Sequence, residues 1–463
     1  MSPNPARSDS KSAQSSDRVT PAERGTASSR RVLGFWMCLA LVMGNMIGSG
    51  VYLLPASLAP YGWNALFGWV FTVGGALCLA YVFAALARAL PRAGGAYGFV
   101  REGFGPFPAF VVGLTYWFSV WIANAAISIA AVSYLSLFAP GITAISGLPA
   151  MLAVGLVWAV TFINLFGARS AGGFQVVTMV LKLLPLVAVV VILALLAGGV
   201  GEAEVTPFRA SDISGSAITA TAALTLWAML GFESASIPQG KVDRPDVTIP
   251  RATMVGTLLV GAIYILTCSA ITLMLPADQI AQSNAPFADF IERYWGHGPA
   301  LLIALFAAVS AIGALNGWVL IQGELPLAMA RSGTFPRWFG VTDRNDTPTR
   351  SLIVSSALVS ILILMNYSRS MADLFTFMAL LSTAATLVLY LACAAASLRL
   401  TLRGEMPRST PFLIIAGLGL VYALWTFYGA GLEATGWIFV LLALGAPLYF
   451  LTPRSAAPQQ PAE

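Results

Sequence analysis

Charge is what this sequence has least of. Only 10% of its 463 residues are Asp, Glu, Lys or Arg and 58% are hydrophobic, whereas soluble domains carry about 25% charged residues. That balance excludes a soluble globular protein and describes one that crosses a membrane many times. Histidine is nearly absent: the one copy, His297, stands between glycines in an expected outer loop. The four cysteines, Cys38, Cys78, Cys268 and Cys393, lie in apolar runs at unrelated spacings, which excludes a disulfide framework or a metal site and leaves them as packing residues. No paired acids occupy the apolar runs, so the converging nucleophile, base and metal ligands of an intramembrane enzyme are missing, and no cofactor pattern is present. A channel's charged ring or filter-like segment is missing too. The net charge of +5 is spread over alternate loops instead of one patch, which argues against nucleic acid as a partner.

Runs nearly free of charge fall near 34–59, 65–87, 107–137, 149–166, 171–198, 213–239, 252–276, 299–325, 351–366, 371–398, 410–430 and 431–451. They predict twelve membrane helices in an all-α fold. If the N-terminus is cytoplasmic, 21 of the 25 Lys and Arg fall on inner segments, and only Arg209, Arg293 and Arg369 lie outside. Residues 1–31 and 452–463 are then cytoplasmic tails. The first has no apolar core of a signal peptide and reads as disordered. Short loops and the lack of a targeting segment fit a bacterial inner membrane.

The first run contains NMIGSGVYLLP, 45–55, in which glycines interrupt an apolar helix at a cost of roughly 1 kcal/mol each relative to alanine. MIGSGVYLLP, Met46 to Pro55, can be laid over MLGFESASIP, Met229 to Pro238, with Met, Gly and Pro coinciding. The matched stretches lie five runs apart. An odd offset inverts topology, so the pattern predicts two inverted five-helix repeats, 32–198 and 213–400, with helices 11 and 12 at 410–451 outside them. Helices 1 and 6 would be broken at Gly48, Gly50 and Gly231. Unwound backbone at membrane depth survives only where it is buried in protein or lines a wet cavity. There, N–H groups suit a carboxylate and freed carbonyls suit an ammonium. Close helix packing through the Gly44–Gly48 pair is the alternative use of those glycines.

Ionisable groups at membrane depth are functional candidates. Glu233, in the second break, could be a gate, a proton carrier or a partner for a cation; Glu324, near the inner end of the eighth run, reads as interfacial. Lys182, in VLKLLP, is either a counter-ion tying helix 5 to the broken helix 1 or a proton-titrating site. Trp227 and Trp318 could hold a cationic side chain over a ring face.

GNMIGSGVYLLPA, GGAYGFVREGFGP, YWFSVWIAN, LWAMLGFESAS, SNAPFADF and the stretch from NGW to FP in the eighth run resemble the basic amino acid/polyamine antiporters of the amino acid, polyamine and organocation superfamily. The likeness covers about residues 32–450. It implies a secondary transporter working by alternating access, with the twelve-helix inverted-repeat fold, a bilayer and a small-molecule amino acid or amine as its partners, and a possible homodimer. It further implies exchange of a cationic amino acid such as arginine for its decarboxylated amine, agmatine in that case, or for another amino acid. By the same resemblance, backbone around Ser49 and Gly50 takes the substrate carboxylate, and carbonyls of Met46, Trp227 and Leu230 take the α-ammonium. A guanidinium would stack on Trp318 and bond to groups at Ser119, Val120, Asn124 and Ser382, with Ile127 along the stem. Trp227 would be a middle gate, and Tyr116, Glu233 and Tyr390 would close the outer side. Lys182 departs from the arginine-exchanging pattern and resembles proton-coupled members of the superfamily, so a proton-coupled permease for neutral amino acids, with Lys182 or Glu233 titrating, is the competing expectation.

Overall fold

A computed structural model describes residues 34–48, 50–90, 93, 95–166, 169–233, 242–344 and 346–452. The described residues are almost entirely helical and contain no strand. The chain runs through α1 (Phe35–Met46), α2 (Gly50–Leu58), α3 (Trp63–Ala89), α4 (Ala96–Phe104), α5 (Pro106–Leu135), α6 (Gly141–Ala144), α7 (Leu148–Leu165), α8 (Arg169–Ala197) and α9 (Gly215–Met229). It continues with α10 (Pro245–Met274), α11 (Ala277–Ala281), α12 (Pro286–Trp295), α13 (His297–Arg331), α14 (Thr349–Met365), α15 (Met371–Leu402), α16 (Thr410–Gly429), α17 (Gly431–Gly445) and α18 (Pro447–Phe450).

Among the described residues nine segments are long and apolar enough to span a bilayer, α1 and α2 form a tenth bent by 45°, and the shorter apolar α9 and α14 bring the total to the twelve expected. The eighth span, expected over 299–325 with Glu324 inside it, extends at its inner end. α13 continues past Glu324 to Arg331, and Glu324 is exposed on its surface. Backbone hydrogen bonding is indifferent to one carboxylate facing outward, so the helix does not stop there. His297, expected in a loop, is the first residue of α13 and lies 3.0 Å from Glu292. Two stretches expected as loops are amphipathic helices. α4 buries Tyr97, Phe99 and Val100, and α12 buries Phe287, Phe290 and Ile291 while Glu292 and Arg293 face outward. Two of the three arginines assigned to the outside are paired across loops, Arg293 with Glu204 at 2.7 Å and Arg369 with Glu433 at 2.6 Å.

The packing separates an inner group of helices from an outer one. α5 is buried on nearly every face because its sequence is apolar all round and rich in Ala and Ser, which lets neighbours approach from each side. It meets α15 and α13, and these three with α1, α2 and α9 surround the centre. α3 and α10 pack behind the breaks, with the Trp69 and Tyr264 rings 5.6 Å apart, while α17 turns Leu432, Phe439 and Leu444 outward as a lipid-facing surface.

Candidate functional site

The first break begins where α1 ends at Met46. In an unbroken helix the Gly44 carbonyl would accept from the Gly48 N–H, but Gly48 N bonds to the Met46 carbonyl at 2.9 Å. The freed Gly44 carbonyl accepts instead from Lys182 Nζ at 2.9 Å. Met46 O, whose helical donor would be the N–H of Gly50, accepts from the Tyr264 hydroxyl at 3.0 Å. Two side chains from α8 and α10 thereby satisfy backbone groups that hydrocarbon could not. Lys182 is itself held in register, since its own carbonyl accepts from Tyr52 on α2 at 2.5 Å. Gly50 does not lie in the unwound stretch. It opens α2, and its lack of a side chain is required there, because a Cβ would stand 2.5 Å from Trp227 Nε1. Ser49 lies outside the described residues, so its expected carboxylate contact has no geometry to report.

α9 ends at Met229, the residue matched to Met46 in the sequence overlay. Leu230 turns to extended backbone and Gly231 adopts φ +109°, a left-handed conformation that favours glycine. A Cβ on Gly231 would lie 3.2 Å from the Asn45 carbonyl oxygen, so the two breaks abut through backbone. Residues 234–241, which include the expected end of the sixth span at 239, lie outside the described residues.

Between the breaks is a cavity of about 40 Å³, room for roughly three waters. From the breaks it is lined by Met46, Gly48, Gly50, Trp227, Leu230 and Glu233, joined by Asn45 and Ala228. From α5 come Tyr116, Ser119, Val120, Ala123 and Ile127, and from α13 and α15 come Trp318, Ser382 and Thr386. Twelve residues singled out from sequence therefore meet at one place. Asn45, Ala123, Ala228 and Thr386 had not been singled out; Thr386 stands one turn beyond Ser382, which is the one signal that pointed to it.

Glu233 is the charged side chain of this lining. Its carboxylate accepts from Tyr116 at 3.1 Å, from Tyr390 at 2.9 Å and from the Gly231 N–H at 3.2 Å. Tyr390 is fully buried behind it and does not reach the cavity, and the Phe232 ring lies 5.0 Å from the Tyr390 ring. The cluster links α5, the second break and α15 through one carboxylate. Trp227 and Trp318 present aromatic surface to the cavity, and the Trp227 indole N–H, buried and without a partner among the described residues, lies over Gly50. The Ser382 hydroxyl donates to the Ser119 carbonyl at 2.8 Å, and the Ser119 hydroxyl donates to the Tyr116 carbonyl at 2.7 Å.

Two expected contributors stand elsewhere. Asn124 is turned from the cavity toward α13, where its amide donates to Gln322 at 2.7 Å, a partner that sequence reasoning had missed. Lys182 lines a small neighbouring cavity with Gly44, Asn45 and Trp318, and also the edge of a lateral apolar cavity of about 250 Å³ between α1 and α8. The four cysteines are free, and no cluster of metal-ligating side chains occurs among the described residues.

A membrane-embedded bundle with two abutting helix breaks around a small central cavity is the architecture of a permease. Residues 33–453 match the amino acid permease family model, and the chain belongs to that family. It is similar to a cadaverine/lysine antiporter of Escherichia coli (strain K12), 34% identical over 430 residues that cover 90% of this chain and 94% of the relative. It is also similar to an arginine/ornithine antiporter of Pseudomonas aeruginosa, 30% identical over 427 residues covering 89% and 88%, and to a putrescine transporter of Haemophilus influenzae, 30% identical over 422 residues covering 90% and 96%. The protein is a multi-pass membrane transporter and not an enzyme, and the likeness to basic amino acid/polyamine antiporters read from its motifs stands.

Proposed function

We propose that this chain is an antiporter that exchanges a cationic amino acid, arginine or lysine, for its decarboxylated amine or for another amino acid. The observation that carries the reading is the abutment of the two breaks, Gly231 against Asn45, around a cavity lined by Trp227, Trp318 and Glu233. The first N–H groups of α2 have no helical acceptor and suit a carboxylate. The carbonyls at Trp227 and Leu230 suit the α-ammonium, the Met46 carbonyl expected beside them being taken by the Gly48 N–H and the Tyr264 hydroxyl, and the Trp318 face suits a cationic side chain. A lysine/cadaverine pair in one relative and an arginine/ornithine pair in another favour the class without selecting the pair. Glu233, bonded to Tyr116 and Tyr390, ties the second break to α5 and α15 and acts as the outer gate, with Trp227 as the middle one.

Alternating access follows if the empty carrier reorients slowly and the substrate supplies the differential binding that closes the gates. The cavity, at about 40 Å³ too small for an amino acid, must widen before binding. The ends of α1 and α9 at overlaid methionines support two inverted repeats, 32–198 and 213–400. The basic inner loops support cytoplasmic termini in a bacterial inner membrane, and the apolar outer faces leave a homodimer open to test.

The second reading, a proton-coupled permease for neutral amino acids, is favoured by one observation. Lys182 takes the carbonyl released by the first break, so loss of its proton would weaken that tie and couple protons to α1. The experiment is uptake of labelled arginine and lysine into proteoliposomes preloaded with arginine, agmatine, lysine, cadaverine or alanine, or left empty under an inward proton gradient. Uptake that requires an internal cationic substrate supports exchange. Uptake into empty vesicles driven by protons supports the second reading.

A further inference from the structure

α1 packs closely on one neighbour and stands apart from another. Against α10 the approach is tight enough that Gly256 can carry no side chain, since a Cβ there would stand 2.7 Å from Val42. Toward α8 there is a gap. Trp36, Ala40, Met43 and Ile47, at i, i+4, i+7 and i+11, fall on one stripe of α1 and its C-cap. That stripe faces Lys182 and Leu183 of α8 across the lateral cavity of about 250 Å³. The two helices are tied at the end nearest the first break, where Lys182 Nζ donates to Gly44 O.

Length, access and polarity together say what fills this gap. At 1.5 Å per residue the stripe from Trp36 to Ile47 is about 16 Å long, and the hydrocarbon of one leaflet is about 15 Å deep. The cavity borders the bilayer. Trp36 is 77% exposed, and Val180 and Val187, flanking Lys182 on α8, are exposed too. The Lys182 ammonium and the Gly44 carbonyl at its edge bond to each other, and the rest of the named lining is apolar, which leaves little to hold a water that needs two to four polar partners. The cavity is larger than the roughly 150 Å³ that takes a benzene, and left empty it would forfeit the dispersion contacts of every wall.

We infer that this cavity is a lipid site: one acyl chain of a phospholipid lies lengthwise between α1 and α8, its headgroup end at the level of Trp36 and its methyl end against Gly44, Ile47 and the Lys182 stem. An aliphatic chain matches the lining in length and polarity, whereas a zwitterionic amino acid would bury its charges there unpaired. The chain end backs the first break from the lipid side, as Tyr264 backs it from α10. The site goes beyond the reading above and holds whether transport is exchange or proton-coupled.

The test is photolabelling of the full chain in phosphatidylcholine vesicles that contain a small fraction of phosphatidylcholine with a diazirine at the end of one chain. Adducts are mapped by peptide mass spectrometry. Wild type should be labelled at Met43 and at Ile47, which is only 1% exposed and is reached by lipid only through the cavity. Ala40→Trp places an indole in the cavity and should remove those adducts while leaving the ones on Leu432 and Phe439 of α17. Where Ala40→Trp does not fold, moving the diazirine to the carboxyl end of the chain decides, because labelling should pass from Ile47 to Trp36. Adducts confined to exposed residues such as Trp36, Met37 and Val180 overturn the site, as do Ile47 adducts that survive Ala40→Trp or do not move with the diazirine. Labelling of Ile47 by a water-soluble diazirine amino acid overturns it in favour of an aqueous route. Each of these outcomes leaves the exchanger reading untouched.

Discussion

Gly231→Ala is the sharpest test of how the site is built. At φ +109° an L-residue is strained by about 1–3 kcal/mol. The added Cβ would also stand 3.2 Å from Asn45 O and 3.3 Å from Asn45 C. Both are backbone atoms of the opposing break and cannot rotate away as a side chain would. Relief requires the breaks to separate by a few tenths of an ångström, which loosens the Gly231 N–H bond to Glu233. The combined cost is about 2–4 kcal/mol, expected as a drop of a few degrees in melting temperature. Melting of the ligand-free protein in detergent, followed by tryptophan fluorescence, reads this without involving substrate. Gly48→Ala is the control. It sits in the first break, but its Cβ would meet the Ala314 Cβ at 3.9 Å and the Gly50 N at 4.0 Å, both ordinary contacts. A Gly48→Ala protein as destabilised as Gly231→Ala, or a Gly231→Ala protein that melts with wild type, would refute the claim that the breaks abut through backbone.

Trp318→Leu should weaken arginine or lysine by about 0.5–2 kcal/mol and alanine much less, measured by competition; equal losses would remove the cation–π assignment. Glu233→Ala leaves the Tyr116 and Tyr390 hydroxyls and the Gly231 N–H without their shared acceptor, so exchange should slow at least tenfold while binding changes less. A normal rate would end the gating role. Lys182→Ala removes the donor to Gly44 O; it should lower the melting temperature and the rate while the shape of the pH profile persists. Exchange that survives with its pH dependence abolished would favour proton coupling through Lys182.

The helices and the broken segments were legible because each rests on a local property. Apolar runs announce spans, and a Gly-Ser-Gly inside one announces a break. The position of Met46 and Met229 at two helix ends follows from the same ten-residue overlay. Most of the cavity was legible through motif resemblance, since those motifs contain the breaks and the faces of α5, α13 and α15 nearest to them. The hydrogen-bond chain from Asn124 through Gln322, Ser356 and Thr161 to the Val157 carbonyl was not legible. Gln322, Ser356 and Thr161 stand among other scattered polar residues of three largely apolar helices, with no spacing that marks them, and their meaning arises only when α13, α14 and α7 pack side by side. Tyr264 was missed for the same reason: a tyrosine in a span looks like any interfacial or core aromatic until its hydroxyl meets the Met46 carbonyl.

These missed partners explain how the breaks are tolerated. Each interruption of α1 exposes carbonyls at a helix C-terminus, where partial negative charge accumulates. Lys182 meets that charge with a full positive one and Tyr264 with a neutral donor, so the two released carbonyls are satisfied from outside the cavity. On the other side of the breaks, Glu233 accepts from the N–H of Gly231 and from two phenols. Lys182 and Glu233 therefore serve different breaks, the first and the second, with the cation outside the cavity lining and the anion within it. Under the exchanger proposal, a cationic substrate in this cavity would meet the carboxylate and the aromatic residues of the lining, while Lys182 stands outside that lining, bonded to the Gly44 carbonyl.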